Sequence, residues 1–234
     1  MASLEPVLSM SFYDPDAVAR YADNLVRQVP GVHALHQMAH VLLAEHVPLQ
    51  GRVLVLGAGG GMELKAFAEA SPAWQFTGVD PSAEMLGLAA RMLGEDLSAR
   101  AELIEGYIDA APDRAFDGAT CLLTLHFLSV EERLHALREL RRRLTPGAPL
   151  VIAHHSVPGD PEEKLRWFQR WAAFVTARGL SEDTPTARAE TIATRLPTLA
   201  PETEVALLEA AGFKRPSLFY AALSFRGWVA YAGE

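Results

Sequence analysis

The 234-residue sequence predicts an α/β fold, a mostly parallel sheet with helices on both faces. Three observations carry that expectation. Short β-branched or otherwise apolar runs alternate with longer helical segments along residues 52–154. The run R-V-L-V-L at 52–56 drives into four glycines within five positions, Gly57, Gly59, Gly60 and Gly61. A second run, Trp74 to Val79, ends in an acid, Asp80. Glycines between a strand and a helix accept positive φ and expose main-chain N–H groups, so this turn reads as the opening of a nucleotide site.

The elements follow in order. Residues 15–46 hold two helical patterns split at Pro30-Gly31, which precede the first strand and are therefore additions to the sheet. Strands are expected at 52–56, 74–79, 101–105, 117–123 and 148–154, with helices at 62–70, 81–93 and 130–144. Ser129 and Glu132 form a capping box for the third of these helices, and Pro146-Gly147 stops it. Asp160-Pro161 reads as a cap with a first-turn proline, after which Leu165, Phe168, Trp171, Ala172 and Val175 recur at helical spacing until Gly179. Residues 180–200 are polar and punctuated by proline. A helix at 201–211 ends at Gly212, and 216–223 with 225–231 form a closing hairpin. One domain over 1–234 is expected: a helical lid at 1–46, a nucleotide-binding core at 47–154, a helical insertion or lid at 155–200, and a closing helix and hairpin at 201–234. Open α/β sheets bind ligands beyond the carboxyl ends of their strands, so substrate choice is expected to reside in the two added segments.

Composition narrows the partners. A net charge of -8 argues against a nucleic-acid surface, which needs clustered Lys and Arg. No segment approaches the roughly 18 apolar residues of a membrane span, and residues 1–11 lack a secretory pattern, so the expectation is a soluble, cytoplasmic protein with no membrane partner. Arg138, Arg141, Arg142 and Arg143 read as a solvated helix end. Cys121, the single cysteine, excludes an internal disulfide and reads as core. His33, His36 and His40 share a helix face, yet no acid or cysteine completes a ligand set and no metal is expected. Trp167, Phe168, Trp171 and Phe174 fit an acceptor-pocket wall, a homodimer surface or plain core.

The kind of nucleotide follows from what surrounds the glycines. Met62 stands where the dinucleotide fingerprint has a small sixth residue, and Lys65 lies too far into the helix for a triphosphate loop. What remains resembles the class I S-adenosylmethionine-dependent methyltransferases: G57-A-G-G-G61, G78-V-D80, F116-D117 and L144-T-P-G147 stand where that family carries its motifs. The resemblance implies a Rossmann-like, mostly parallel seven-stranded sheet whose last strand is antiparallel. It implies S-adenosyl-L-methionine as cofactor, S-adenosyl-L-homocysteine as product, and a small-molecule acceptor. It also implies a donor site of Gly57, Ala58, Gly59, Gly61, Asp80, Pro81, Met85, Tyr107 and Leu125, with Asp80 on the ribose and Met85 against the adenine. Asp80 as a plain N-cap of the next helix is the structural alternative.

Within the family, R27-Q-V-P-G31, T124-L-H-F-L128, A210-A-G-F213 and S224-F-R-G-W-V-A230 are similar to the carboxy-S-adenosylmethionine synthase branch. Departures separate the chain from both patterns. Against the methyltransferases at large, Val55 stands where an acid two places before the first glycine supplies a polar anchor for the methionine end, and Tyr107 stands at the acid of I-E-G-D; against the synthase branch, Leu207 stands at the carboxylate-holding arginine and Val32 at the tyrosine after V-P-G. Leucine cannot pair with a carboxylate, so ordinary methyl donation is expected. A non-catalytic S-adenosylmethionine-binding module and a carboxy-S-adenosylmethionine synthase-like enzyme are the alternatives. A sulfonium methyl is already activated, and alignment of the nucleophile supplies most of the acceleration. Where the acceptor arrives protonated, His126 and His154 are the candidate catalytic bases, with His155 nearby; packing at the strand ends is their plainer role.

Overall fold

The computed structural model describes residues 20–180 and 184–233. In chain order the elements are α1 (Tyr21–Gln28), α2 (Val32–Ala44), β1 (Arg52–Leu56), α3 (Met62–Ala70), β2 (Gln75–Asp80), α4 (Ala83–Ser98), β3 (Ala101–Glu105), β4 (Gly118–Leu122), α5 (Val130–Arg143), β5 (Pro149–His155), α6 (Pro161–Ala177), α7 (Pro185–Arg195), α8 (Pro201–Ala210), β6 (Phe213–Ala222) and β7 (Phe225–Ala232), with single 3-10 turns at Ile108–Ala110 and Leu125–Phe127.

The strands make one sheet in the order β3-β2-β1-β4-β5-β7-β6. Strands β1 to β5 run parallel, and β7 enters antiparallel between β5 and β6. Neighbours of β1 are β2 on one side and β4 on the other, so the chain reverses its winding there; in such sheets the crevice for a ligand opens at that switch. Alternation along the strands feeds two apolar clusters. Val53, Val55, Val151 and Ala153 pack against α2, α3, α4, α6 and α7, whereas Leu54, Leu56, Cys121 and Ile152 pack against α5 and α8.

The two added segments meet over the first of these faces. Trp171 Nε1 on α6 donates to the Gln28 carbonyl at 3.0 Å, and the Tyr220 hydroxyl donates to the Pro30 carbonyl at 2.6 Å. The α1–α2 corner is thus tied to α6 and β6 through its own main chain.

Differences from the sequence reading have local causes. Ser82, not Asp80, caps α4: its side chain accepts from Met85 N–H, so the helix begins at Ala83, and it continues past residue 93 through a kink at Gly94, φ 68. The segment 180–200 contains α7, because Thr184 caps it, Pro185 occupies its first turn, and Ala189 and Ile192 face the core. Strand β6 starts at Phe213, ahead of the expected 216. Residues 15–19 of the expected N-terminal helical pattern lie outside the described residues.

Gly61 carries the tightest packing constraint between α3 and α4. Its φ is 82, and a Cβ added there would meet Ala89 Cα at 2.8 Å. Gly61→Ala is expected to cost about 2–4 kcal/mol, from left-handed strain plus overpacking, read as a lower urea midpoint with an unchanged slope.

Candidate active site at the carboxyl ends of the strands

The glycine turn is held by main-chain bonds. Gly57 and Ala58 N–H groups both donate to the Val79 carbonyl, at 2.8 and 3.1 Å. Asp80, at the tip of β2, accepts from Gly59 N–H at 2.9 Å on one carboxylate oxygen and from Ser82 N–H at 3.0 Å on the other. Burial raises its pKa while these two amides pull it down. A carboxylate offers about four lone-pair positions, so a pair held by two amides keeps capacity for two hydroxyls.

The space around the glycines differs: it is closed at Gly57 and open to ordinary contact at Gly59. A Cβ on Gly57 would lie 2.0 Å from Thr124 Oγ1, and one on Gly59 would lie 3.4 Å from the Tyr21 hydroxyl and 3.5 Å from Met85 Cε. Gly57 is therefore a packing necessity, whereas Gly59, with φ 50, is favoured by its backbone conformation and leaves an approach surface. Leu123, with φ 60, turns the chain sharply from β4 toward Thr124, a strained conformation for a residue with a side chain.

Two residues at this turn escape a reading by motif. Glu63, two places past Gly61, is only 6% exposed and accepts a hydrogen bond from the Thr120 hydroxyl. Burial pushes its carboxyl up to about 8, partly offset by Thr120. The Tyr21 hydroxyl is held above its ordinary range by burial and by the charges of Asp80 and Glu63. A first-turn acid looks like simple dipole compensation in sequence, and Tyr21 belongs to no motif; only the alternation that puts Val55 and Thr120 on one face hinted at Glu63.

The remaining expected donor residues divide. Met85 reaches Gly59, Ala58 is buried against Gly78, and Pro81 is half-buried beside Asp80. Tyr107, following β3, leaves a bare ring with 66% exposure. Leu125 is fully buried in the second apolar cluster, which also holds Leu56 and Val79.

The histidines separate as well. His126 sits in the 3-10 turn after β4, where its Nδ1 accepts from the His155 N–H at 3.2 Å. An imidazole with Nδ1 so engaged carries its proton on Nε2, and in that tautomer it donates a hydrogen bond and takes up no proton. His155 stacks on Phe225 at 3.9 Å and bonds the Ser224 hydroxyl at 2.9 Å. His154, 0% exposed, lies on the other face of β5, 3.0 Å from a Glu204 oxygen that also pairs with Arg133. Neither His126 nor His154 presents a general base to the glycine turn; one is fixed as a donor and the other belongs to a buried ion network.

Other expectations are corrected or refined. The arginine run is not a uniformly solvated helix end: Arg143 is buried and donates to the Ala111 carbonyl, and Arg142 pairs with Asp113 and Glu139. His33 is exposed, His36 is buried, and His40 bonds Ser71 at 2.8 Å; among the described residues no three His, Cys, Asp or Glu side chains are grouped to hold a metal. Phe168 and Trp171 are core, while Trp167 is covered by the guanidinium groups of Arg170 and Arg226. A cleft at the opposite, amino ends of β1–β3 contains Arg52, Arg100 and Arg114. Its Arg100 is spent on three main-chain carbonyls and its Arg114 on Glu102 and Thr77.

Burial holds the His155 imidazole down to about 3 and His36 to about 4, and His126 well below its ordinary value. These groups stay neutral in the folded chain while the unfolded chain protonates them below about 6.5, so their contribution is intact above that pH and is lost as pH falls toward 4. Urea titrations between pH 7 and pH 4.5 are expected to show stability falling on acidification, because three histidines outweigh the opposite effect of the raised Glu63 and Asp80 carboxyls. Stability that stays flat or rises toward pH 4.5 would mean that these histidines are not held neutral.

Comparison with known proteins adds the family context. A family model described as "Methyltransferase domain" matches residues 53–147. The carboxy-S-adenosyl-L-methionine synthase of Chromohalobacter salexigens is 31% identical over 234 aligned residues, covering 97% of this chain and 85% of that protein. Its counterpart in Pseudomonas paraeruginosa is 28% identical over 230 residues, covering 93% and 89%. An O-methyltransferase family protein from Burkholderia thailandensis aligns with a TM-score of 0.71 at 15% identity, over 99% of this chain and 65% of that one. Phosphoethanolamine N-methyltransferase 2 of Haemonchus contortus, solved with S-adenosyl-L-methionine, gives 0.70 at 15% identity, over 100% of this chain and 61% of that one. The structural likeness is one of fold.

Proposed function

Because the chain belongs to the class I S-adenosylmethionine-dependent methyltransferase family, and is related within it to the carboxy-S-adenosyl-L-methionine synthases, we propose that it is an enzyme that binds S-adenosyl-L-methionine and delivers its methyl group to a small-molecule acceptor. The observation that carries this reading is the Asp80 carboxylate, clamped by Gly59 and Ser82 amides at the switch point of the sheet, with lone pairs left for a ribose hydroxyl pair.

The other roles follow from position. Gly57, Ala58, Gly59 and Gly61 offer main chain to the donor, Pro81 and Met85 line the side next to Asp80, the Leu125 main chain closes the turn after β4, and the bare Tyr107 ring is available to the adenine. When bound, the donor supplies an activated sulfonium methyl. The protein's task is to orient the nucleophile, and alignment of this sort is worth effective molarities of about 10⁵ to 10⁸ M. With its proton on Nε2, His126 acts as a hydrogen-bond donor, so the reading favours an acceptor that reacts without a side-chain base from this turn. The α1–α2 corner and α6 form the cover over this side, and acceptor choice is assigned to them.

A carboxy-S-adenosyl-L-methionine synthase activity is the second reading, favoured by the 31% identical relative. Against it, Leu207 and Val32 are buried in the two opposite apolar clusters, and neither can hold a carboxylate.

Calorimetry with purified, ligand-free protein tests the proposal. S-adenosyl-L-methionine and S-adenosyl-L-homocysteine are expected to bind, and either at 100-fold its Kd should add about 2.7 kcal/mol of stability. Asp80→Ala should weaken both by at least about tenfold, the loss of a pair of charge-assisted hydrogen bonds. No association with either compound would overturn the reading, and unchanged affinity in Asp80→Ala would overturn the ribose assignment.

A further inference from the structure

We propose that Glu63 is the anionic anchor for the α-ammonium group at the amino-acid end of the donor, taking over from the strand position now occupied by Val55; this rests on the methyl-donor reading above.

Register supports the relocation. Val55 of β1 lies directly opposite Thr120 of β4, and Thr120 is the residue whose hydroxyl bonds the Glu63 carboxylate. An acid at position 55 would project from the face of the sheet that carries α3, because Val55 packs in the cluster containing Leu64 and Phe67 of that helix. Glu63 approaches the same place from the other partner: its backbone belongs to the first turn of α3, and its carboxyl reaches the strand beside Val55. A polar anchor absent from the strand thus reappears on the helix, one side chain away.

The electrostatics favour a cationic ligand over a purely structural role. A first-turn acid that serves the helix dipole is ordinarily solvated and acidified. Glu63 is buried, and burial pushes its carboxyl up to about 8. Among the described residues no lysine, arginine or histidine is ion-paired with it. Buried carboxylates are stable when paired, and an ammonium group arriving with a ligand would supply the missing cation. The Tyr21 hydroxyl feels both Asp80 and Glu63 and reaches Gly59, so the two acids flank one stretch of the glycine turn. Asp80 takes the sugar end, and Glu63 the amino-acid end.

The test compares two ligands on the same protein: S-adenosyl-L-homocysteine, which carries the ammonium group, and 5′-methylthioadenosine, which lacks the whole amino-acid end. Calorimetry of Glu63→Gln is expected to show affinity for S-adenosyl-L-homocysteine reduced at least about tenfold and affinity for 5′-methylthioadenosine unchanged, the pattern of one lost charge-assisted contact. Equal affinity for S-adenosyl-L-homocysteine in the variant, or an equal loss of both ligands, would overturn the assignment and leave Glu63 a structural residue. Binding of neither ligand to wild type would instead overturn the donor reading itself.

A measurement on wild type needs no variant. The titratable groups that feel Glu63 are Tyr21 from α1 and Cys121 from β4, both pushed further up by burial, and Asp80 of β2 acts on the same Tyr21 hydroxyl. Asp80 acts on both ligands, so the ratio of the two affinities isolates Glu63. That ratio should rise about tenfold between about pH 6.5 and pH 8.5 as the carboxyl ionises, and a flat ratio would sink the proposal.

Discussion

Two backbone amides from successive turns of the sheet, Gly59 after β1 and Ser82 after β2, converge on the single carboxylate of Asp80. That convergence fixes the site. It ties the glycine turn to the tip of the neighbouring strand, while Gly57 and Ala58 are tied to the Val79 carbonyl just before it. The loop has little freedom left, and its lack of side chains is imposed from outside: Thr124 fills the space at Gly57, and the backbone of α4 fills the space at Gly61. At Gly57 and Gly61 the absence of a side chain is thus demanded by packing before any ligand is considered. Pre-organisation follows, since a loop fixed before binding spends little free energy on ordering.

Charge is distributed very differently over the two faces of the sheet. One face carries the donor-side acids, Asp80 and Glu63, and burial raises the pKa of both. The other carries a buried cluster in which Arg133 of α5 pairs with Glu204 of α8, next to His154 of β5, and donates to the Pro197 carbonyl. Charges paired in this way lock three elements together inside the apolar interior, away from the glycine turn. The separation explains why adjacent residues, His154 and His155, have unrelated surroundings: a strand sends consecutive side chains to opposite faces, so closeness in sequence at the end of β5 says nothing about a shared function.

The framework was legible because it rests on local signals. The glycine cluster, the Ser129–Glu132 capping box and the Pro146-Gly147 stop all act over a few residues, and each appears where the pattern put it. Helix α7 went unread although Thr184 and Pro185 announce its start, because the polar stretch around them masked a narrow apolar face. The functional side chains were harder. The position of Asp80 follows from its distance to the glycines, but whether it caps a helix or bridges two turns depends on Ser82 taking the capping role. The significance of Glu63 depends on a cross-strand partner 57 residues away, and the face of His154 on which cluster its strand buries. Long-range register, absent from any local window, decided those cases.

The departures from the carboxy-S-adenosyl-L-methionine synthase pattern also look different in three dimensions. Val32 and Leu207 are members of apolar clusters on opposite sides of the sheet, packed among residues of α2 and α8 respectively. Restoring a tyrosine or an arginine at these positions would require opening a close-packed interior, so they mark a repacked protein and not two isolated losses of charge. Val55 behaves in the same way: it is fully buried and contributes to the first cluster. Where the strand has been given over to packing, a polar group must come from an element that can still present one, and the first turn of α3, which enters the sheet beside Thr120, is such an element. Core packing and ligand recognition are coupled here through that one choice of which backbone carries the acid.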